Sequence, residues 1–250
     1  MFETIDFSKS NLYILSIRFS TDGFYFSIDG TPYYIYKPND LLSMTANFKQ
    51  ALKDMPCLEN SFRHVDVTID SPRFTLMPLD YFEDDQADAI YYHNLTRRDN
   101  ETVRYNILPD SNVVVLFGID SALYNLLEDK YHDVSFNAHV STIIKDAMVA
   151  GKTRQSRHMC CHIGEHTITL VATEGGSLLS ANAYADKSLS DSLYYILLSW
   201  KHLSFSQTED ELTLTGNAEA CKALKEQAGK YIKNVSIMDA AENGVEATLS

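Results

Sequence analysis

Hydrophobic positions cluster in three short runs, Leu12–Phe19, Phe24–Ile28 and Tyr33–Tyr36, whose aromatic and β-branched content predicts three short strands. The breaks between them, Ser20-Thr21-Asp22-Gly23 and Asp29-Gly30-Thr31-Pro32, carry the residue types of tight hairpins. The pattern then changes. Leu41, Met44, Thr45, Phe48, Leu52 and Met55 keep helical spacing, with Asn39 or Asp40 as the expected N-cap and Pro56 just past the end. Strands follow at Val65–Ile69 and Arg73–Met77, then a helix to about His93 behind the acidic first turn Glu83-Asp84-Asp85, where negative charge suits the helix dipole. Strands at Thr102–Leu108 and Val113–Phe117 lead to a helix capped by Asp120 or Ser121, with Leu123, Leu126, Leu127 and Tyr131 inward. An amphipathic stripe of Val140, Ile143, Ile144, Ala147 and Met148 closes the half.

A polar, basic stretch, Gly151 to Arg157, marks the expected boundary, and the pattern then starts again. Strands are predicted at His158–Ile163, Thr167–Thr173 and Leu178–Tyr184, then a helix on Leu189, Leu193, Ile196, Leu197 and Trp200. A strand at Glu211–Thr215, a helix from Ala218 to about Tyr231 and a strand at Val235–Met238 complete it, and residues 241–250 read as a loose tail. Each half therefore reads β-β-β-α-β-α-β, with additions in the first. The expected domains are residues 1–150 and 158–240, each an α/β layered body with a mixed sheet. Two such domains leave a cleft between them, a natural ligand site.

Composition narrows the classes. With 45% hydrophobic residues, 22% charged, 6 Pro and 10 Gly, the chain is neither collagen-like nor wholly disordered. Its 34 acidic and 21 basic side chains give a net charge of −13, which argues against a nucleic-acid partner. The first residues lack a basic segment followed by an apolar core, so no signal peptide is expected, and no apolar run is long enough to span a bilayer. Cys57, Cys160, Cys161 and Cys221 follow no bridging or metal pattern; reduced thiols and a cytoplasmic setting are expected.

Several motifs resemble chemistry without completing it. Gly151-Lys152-Thr153 matches the end of a phosphate-binding P-loop, but Asp146 stands where that loop needs glycine, and a helix leads in. His158, Cys160 and His162 share one face of a strand, yet a tetrahedral zinc site also needs a ligand from another element, so no metal is expected. Glu83-Asp84-Asp85 and Glu209-Asp210-Glu211 read as solvated charges, and no nucleophile elbow occurs. Fifteen tyrosines, among them Tyr33, Tyr34, Tyr36, Tyr91 and Tyr92, place rings on more than one face, some for binding and most for the core.

Three stretches carry a family resemblance: Leu15 to Phe24, Cys161 to Leu170, and Leu212 to Ala218. In the duplicated element order around them, the chain resembles a bacterial family of uncharacterised proteins with an actin-like ATPase fold. That fold belongs to the superfamily of sugar kinases and heat-shock 70 chaperones. The second half is also similar to the pilus-assembly branch, whose members act largely through protein partners. The resemblance implies a duplicated ribonuclease H-like fold, with two mixed-sheet domains around a cleft. Active members place an Asp near the end of the first strand of each half, for magnesium and phosphate, beside glycine-rich turns. Here Arg18 and His162 stand at those positions. Ser20 replaces a turn glycine, Glu165 and His166 follow Gly164, Thr169 stands where a further acid is often found, and Gly216-Asn217 replaces a glycine pair at the adenosine turn. The expectation is a relative without catalytic residues, bound cofactor or ATPase activity, working through an unidentified protein partner. The alternative is a nucleotide switch or weak ATPase holding ATP and magnesium with Asp22, Gly164, Gly216 and Asn217.

Overall fold

The structure is a computed structural model that describes residues 5–20, 23–31, 34–152, 156–164, 166–185 and 188–238. The chain divides into two compact units, Met1–Ile107 with Val114–His139, and Leu108–Val113 with Val140–Ser250.

The first unit opens with a 3-10 helix at Phe7–Leu12 and then β1 (Ile14–Phe19), β2 (Phe24–Ile28) and β3 (Tyr34–Tyr36), an antiparallel run as the aromatic and β-branched runs and their turn residues predicted. Tyr33 lies outside the described residues. Helix α1 (Met44–Asp54) follows, then β4 (His64–Ile69), β5 (Phe74–Pro78), α2 (Ala87–Asn94), β6 (Glu101–Leu108), β7 (Val113–Asp120), α3 (Ser121–Lys130) and β8 (Val134–Ala138). The main sheet has the order β3-β2-β1-β4-β8, with β4 and β8 parallel to β1. Strands β5, β7 and β6 form a separate sheet, the addition foreseen in the first half.

On β1 the side chains of Leu15, Ile17 and Phe19 turn inward while Ser16 and Arg18 turn the other way, as period two requires. Phe19, Phe24 and Phe48 meet edge to face at centroid distances of 4.9, 5.3 and 6.3 Å, which seats α1 on the sheet. The cap of α1 is Ser43, whose Oγ accepts from the Ala46 N–H at 3.2 Å, and not Asn39 or Asp40. Asn47 explains the shift. Its side chain accepts from the Asn39 N–H at 2.7 Å and donates to the Asn39 carbonyl at 2.9 Å, which fixes a turn ahead of the helix and leaves Leu41 92% exposed. Asp120 caps α3, accepting from the Leu123 N–H at 2.9 Å.

In the small sheet, Arg73 clasps Glu101 with two hydrogen bonds, Nε to Oε1 at 3.0 Å and Nη2 to Oε2 at 2.9 Å. Tyr91, fully buried, donates to Glu101 Oε1 at 3.3 Å, and burial followed by the Glu101 charge pushes its phenol well above the usual range. Tyr92, its neighbour, is only half-buried.

Helix α4 (His139–Lys152) is grouped from Val140 onward with the second unit. That unit continues with β9 (His158–Ile163), β10 (Thr167–Glu174), β11 (Ser177–Ala185), α5 (Leu189–His202), β12 (Glu211–Gly216), α6 (Ala218–Ala228) and β13 (Asn234–Ile237). Its sheet order, β11-β10-β9-β12-β13, repeats that of the first unit with the same directions. Met159, Cys161, Ile163, Leu170, Leu212 and Leu214 form the apolar face, covered by α5 and α6 through Ile196, Trp200, Cys221 and Leu224. The Trp200 ring meets Phe205 edge-on at 4.9 Å. The tail 241–250 lies outside the described residues.

Asp210 corrects one expectation. It is buried, and its carboxylate accepts from the Ser206 N–H at 2.6 Å and the Arg157 N–H at 3.0 Å, tying the turn before β12 to the entrance of β9. Charge there is spent on backbone donors, a role that spacing alone does not distinguish from solvation.

Candidate functional site

Ligands of mixed α/β sheets gather at the carboxyl ends of parallel strands, where strand order reverses. In the second unit these are the ends of β9 and β12. The two strands run in register with Gly216 beside Ile163. Gly216 has φ +95°, and a Cβ built there would fall on the Ile163 carbonyl oxygen, so only glycine fits. The Asn217 N–H donates to that same carbonyl at 3.0 Å, and the Asn217 side chain caps α6, accepting from the Ala220 N–H at 3.0 Å. The Gly164 N–H donates to the Thr167 carbonyl at 2.9 Å and closes the β9–β10 turn. Three of the four residues named from sequence, Gly164, Gly216 and Asn217, thus meet at one sheet edge. The fourth, Asp22, lies outside the described residues, as does Glu165.

The chemistry open to this edge follows from where its donors go. Phosphate cradles need backbone N–H groups directed at the ligand. Those of Gly164 and Asn217 are directed at protein carbonyls.

The penultimate residues of β1 and β9 are equivalent in register. Arg18 lies between Tyr25 and Thr68, and His162 between Thr169 and Thr215. The Arg18 guanidinium sits 4.3 Å from the centre of the Tyr25 ring, a cation–π contact. The His162 Nδ1 lies 3.2 Å from Thr215 Oγ1. Along the same face His158 Nε2 is 2.9 Å from Thr213 Oγ1, so these imidazoles partner hydroxyls of β12. Among the described residues no group of three His, Cys, Asp or Glu side chains is placed to hold a metal ion.

The sequence reading missed two residues at the matching edge of the first unit. The Asp70 N–H donates to the Phe19 carbonyl at 2.8 Å, which sets Asp70 beside the end of β1, and its Oδ1 lies 3.4 Å from His139 Nδ1. Each directly follows a parallel strand, Asp70 after β4 and His139 after β8. Asp70 was findable by that position. His139 was not, because β8 itself escaped the pattern.

Elsewhere, Gly151 lies where a Cβ would come within 2.8 Å of Thr173 Oγ1, so this glycine lets the end of α4 rest on β10. Thr153 lies outside the described residues. A cavity of about 210 Å³ between the Pro109–Ser111 turn and α4, lined by Lys145, Met148 and Lys152 among others, is below the usual size of a small-molecule site. None of the four cysteines is joined in a disulfide, and burial pushes the Cys57 thiol up.

A second polar cluster lies at the amino ends of β4 and β8. His64 Nδ1 is 3.0 Å from Asp133 Oδ2, and its Nε2 is 3.1 Å from both Asp66 Oδ1 and Ser135 Oγ. The order resembles an acid, a base and a hydroxyl, but Ser135 donates its proton to Asp66 at 2.6 Å and so is held by a carboxylate. Burial lowers the His64 pKa, yet the Asp133 hydrogen bond and the Asp66 charge together outweigh it and the net shift is upward. A raised folded pKa stabilises fully below the ordinary histidine value and is lost as pH rises through the folded value. In thermal melts, wild type should exceed His64→Asn by about 1–3 °C near pH ~5.5 and lose that advantage by about pH 8.5. A gap that widens with pH would refute the stabilising role of the two carboxylates around His64.

Comparison with known proteins agrees with this architecture. A Bacteroides thetaiotaomicron protein with an actin-like ATPase fold and unknown function is 37% identical, with 97% of this chain and 95% of that chain covered and a TM-score of 0.89. The PilM–PilN type IV pilus biogenesis complex matches at 12% identity over 95% and 91%, with a TM-score of 0.62. MreB 5 of Spiroplasma citri bound to AMPPNP matches at 8% identity over 94% and 93%, with a TM-score of 0.51. These last two speak to the fold alone. No curated protein matches the chain significantly. Among the described residues no helix is long and apolar enough to cross a membrane. With the matching family pattern spanning residues 3–235, the chain belongs to the family described as "Protein of unknown function (DUF3822)", and its fold is the actin-like ATPase fold.

Proposed function

We propose that this chain is an actin-like protein that works as a protein-interaction or scaffold module in the cytoplasm, without turning over ATP. One observation carries the reading: the register-equivalent positions near the ends of β1 and β9 hold Arg18 and His162, each engaged with the protein itself, where an active relative would present carboxylates. A guanidinium attracts phosphate but cannot bind magnesium, and metal-assisted transfer needs oxygen ligands. The inward-directed N–H groups of Gly164 and Asn217 support the same reading. So does the likeness to a fold solved within a two-protein pilus biogenesis complex.

Asp70 favours a second reading. It supplies a carboxylate at the carboxyl edge of β4, the kind of oxygen ligand that a nucleotide switch or weak ATPase would use toward magnesium. Calorimetric titration of the full chain with ATP and magnesium separates the two. The scaffold reading expects no affinity tighter than about 1 mM, roughly −4 kcal/mol, and no phosphate release above background. Micromolar binding that Asp70→Asn abolishes would reverse the order of the two readings.

A further inference from the structure

Sheet edges expose unpaired N–H and C=O groups, and folded proteins guard them with short strands, charges, proline or bulges. Among the described residues, the edge strands here follow that practice with one exception. β3 has three residues and β13 four, β8 has five, β5 ends in Pro78, and β6 carries Glu101 and Arg104. β11 is the exception. It is nine residues long, without a charge or a proline, and most of its length is exposed or half-exposed. Its one guard, a bulge opposite Ala172 and Thr173, is confined to the start of the strand, and Ser180–Ala185 beyond it pair regularly with β10 and carry no charge, proline or bulge.

We propose that β11 is a self-association edge, through which a second copy of this chain pairs antiparallel and joins two five-stranded sheets into one. The strand is its own complement. A twofold axis at Asn182 sets Ala181 against Ala183 of the other copy and Ser180 against Tyr184, so small meets small on one face and a ring meets a small side chain on the other. The exposed Asn182 donates to Ser180 Oγ at 2.9 Å, and nothing charged opposes its image across the axis. Tyr184 is held for this contact, stacked on Tyr195 at 4.2 Å and 9°, with the 60% exposed Tyr194 ring beside Tyr195 at 5.4 Å.

Electrostatics sets the conditions. Two bodies of charge −13 repel, while the edge that joins them is neutral. Salt screens the first and leaves the second, so association strengthens with ionic strength, opposite to an interface made of ion pairs. The contact is small beside the ~1,000 Å² of stable interfaces, so the dimer is weak, with Kd on the order of 10–100 μM.

Sedimentation velocity of the full chain, at about 5 to 500 μM and at ~50 and ~500 mM NaCl, tests the proposal. The expected result is a monomer at low concentration and a dimer at high concentration, with Kd at least about threefold tighter in the higher salt. Asn182→Lys should weaken association by about tenfold or more with an unchanged thermal melt, because it sets two ammonium groups face to face at the axis. It also brings the net charge nearer neutrality, which by itself favours association. Leu41→Lys makes the same charge change at a 92% exposed position in the first unit and should not weaken the dimer. A monomer under every condition, a dimer that salt dissociates, or a dimer that Asn182→Lys leaves intact would each overturn the proposal.

Discussion

Replacing Gly216 with alanine is expected to destabilise the second unit by about 3–5 kcal/mol, combining backbone strain with a clash that a carbonyl cannot relieve. The strain arises because φ is +95°, where an L side chain is disfavoured, and the clash because the new Cβ meets the Ile163 carbonyl. That carbonyl is fixed from two directions: Gly216 lies beside Ile163 in the β9–β12 ladder, and the Asn217 N–H bonds to its oxygen. Gly175 provides the control. It also has positive φ, +56°, but nothing lies within 4 Å of its added Cβ. Gly175→Ala should therefore cost only about 1–2 kcal/mol, the left-handed penalty alone. Urea unfolding of both variants decides the matter, and equal losses would show that close approach at Gly216 contributes nothing. A bulky residue at Gly216 is accordingly unsuited to blocking a nucleotide, since lost binding would report lost folding.

Glu101→Ala should cost a comparable amount, about 3–5 kcal/mol, by leaving the Arg73 guanidinium buried without its carboxylate. The side chains of Arg73 and Glu101 are only 16% and 7% exposed, so solvent cannot take over the lost partner. Tyr91 loses an acceptor at the same time. The pair is not therefore a source of stability. Desolvating two ions nearly offsets their attraction, so the double change Arg73→Met with Glu101→Leu should come within ~1 kcal/mol of wild type. Chemical denaturation of the two single variants and the double variant measures this coupling. Additive losses would show that the two side chains act independently.

Local pattern carried the three opening strands of each half, the α3 cap to within Asp120 or Ser121 and the repeat itself, because each is decided by residues close in sequence. The failures share the opposite property. β8 is five residues with Ser135 and Asn137 among them, and what makes it a strand is parallel pairing with β4, about seventy residues earlier. Losing β8 meant losing His139. Asp210 looked like one more surface charge because the N–H of Arg157 reaches it across more than fifty residues. Gly216 and Asn217 were legible as a strand-to-helix turn, but the carbonyl that demands the glycine belongs to another strand. Residue identity marks where a site can lie, and the partners that occupy its hydrogen bonds emerge only when distant strands are brought into register.

Trp200 is the only tryptophan of the chain, and it is buried on α5 against the Phe205 ring in the second unit. Its ultraviolet emission is thus an optical label placed by nature on one half of a duplicated protein. Quenching or a red shift on denaturation reports the melting of that half, whereas circular dichroism sums over both. The Gly216 variant acts in the half that carries the fluorophore, while the Glu101 variant acts in the half without one. Its unfolding becomes visible in tryptophan light only in so far as the two halves come apart together, which makes a single emission wavelength a measure of cooperativity across the duplication.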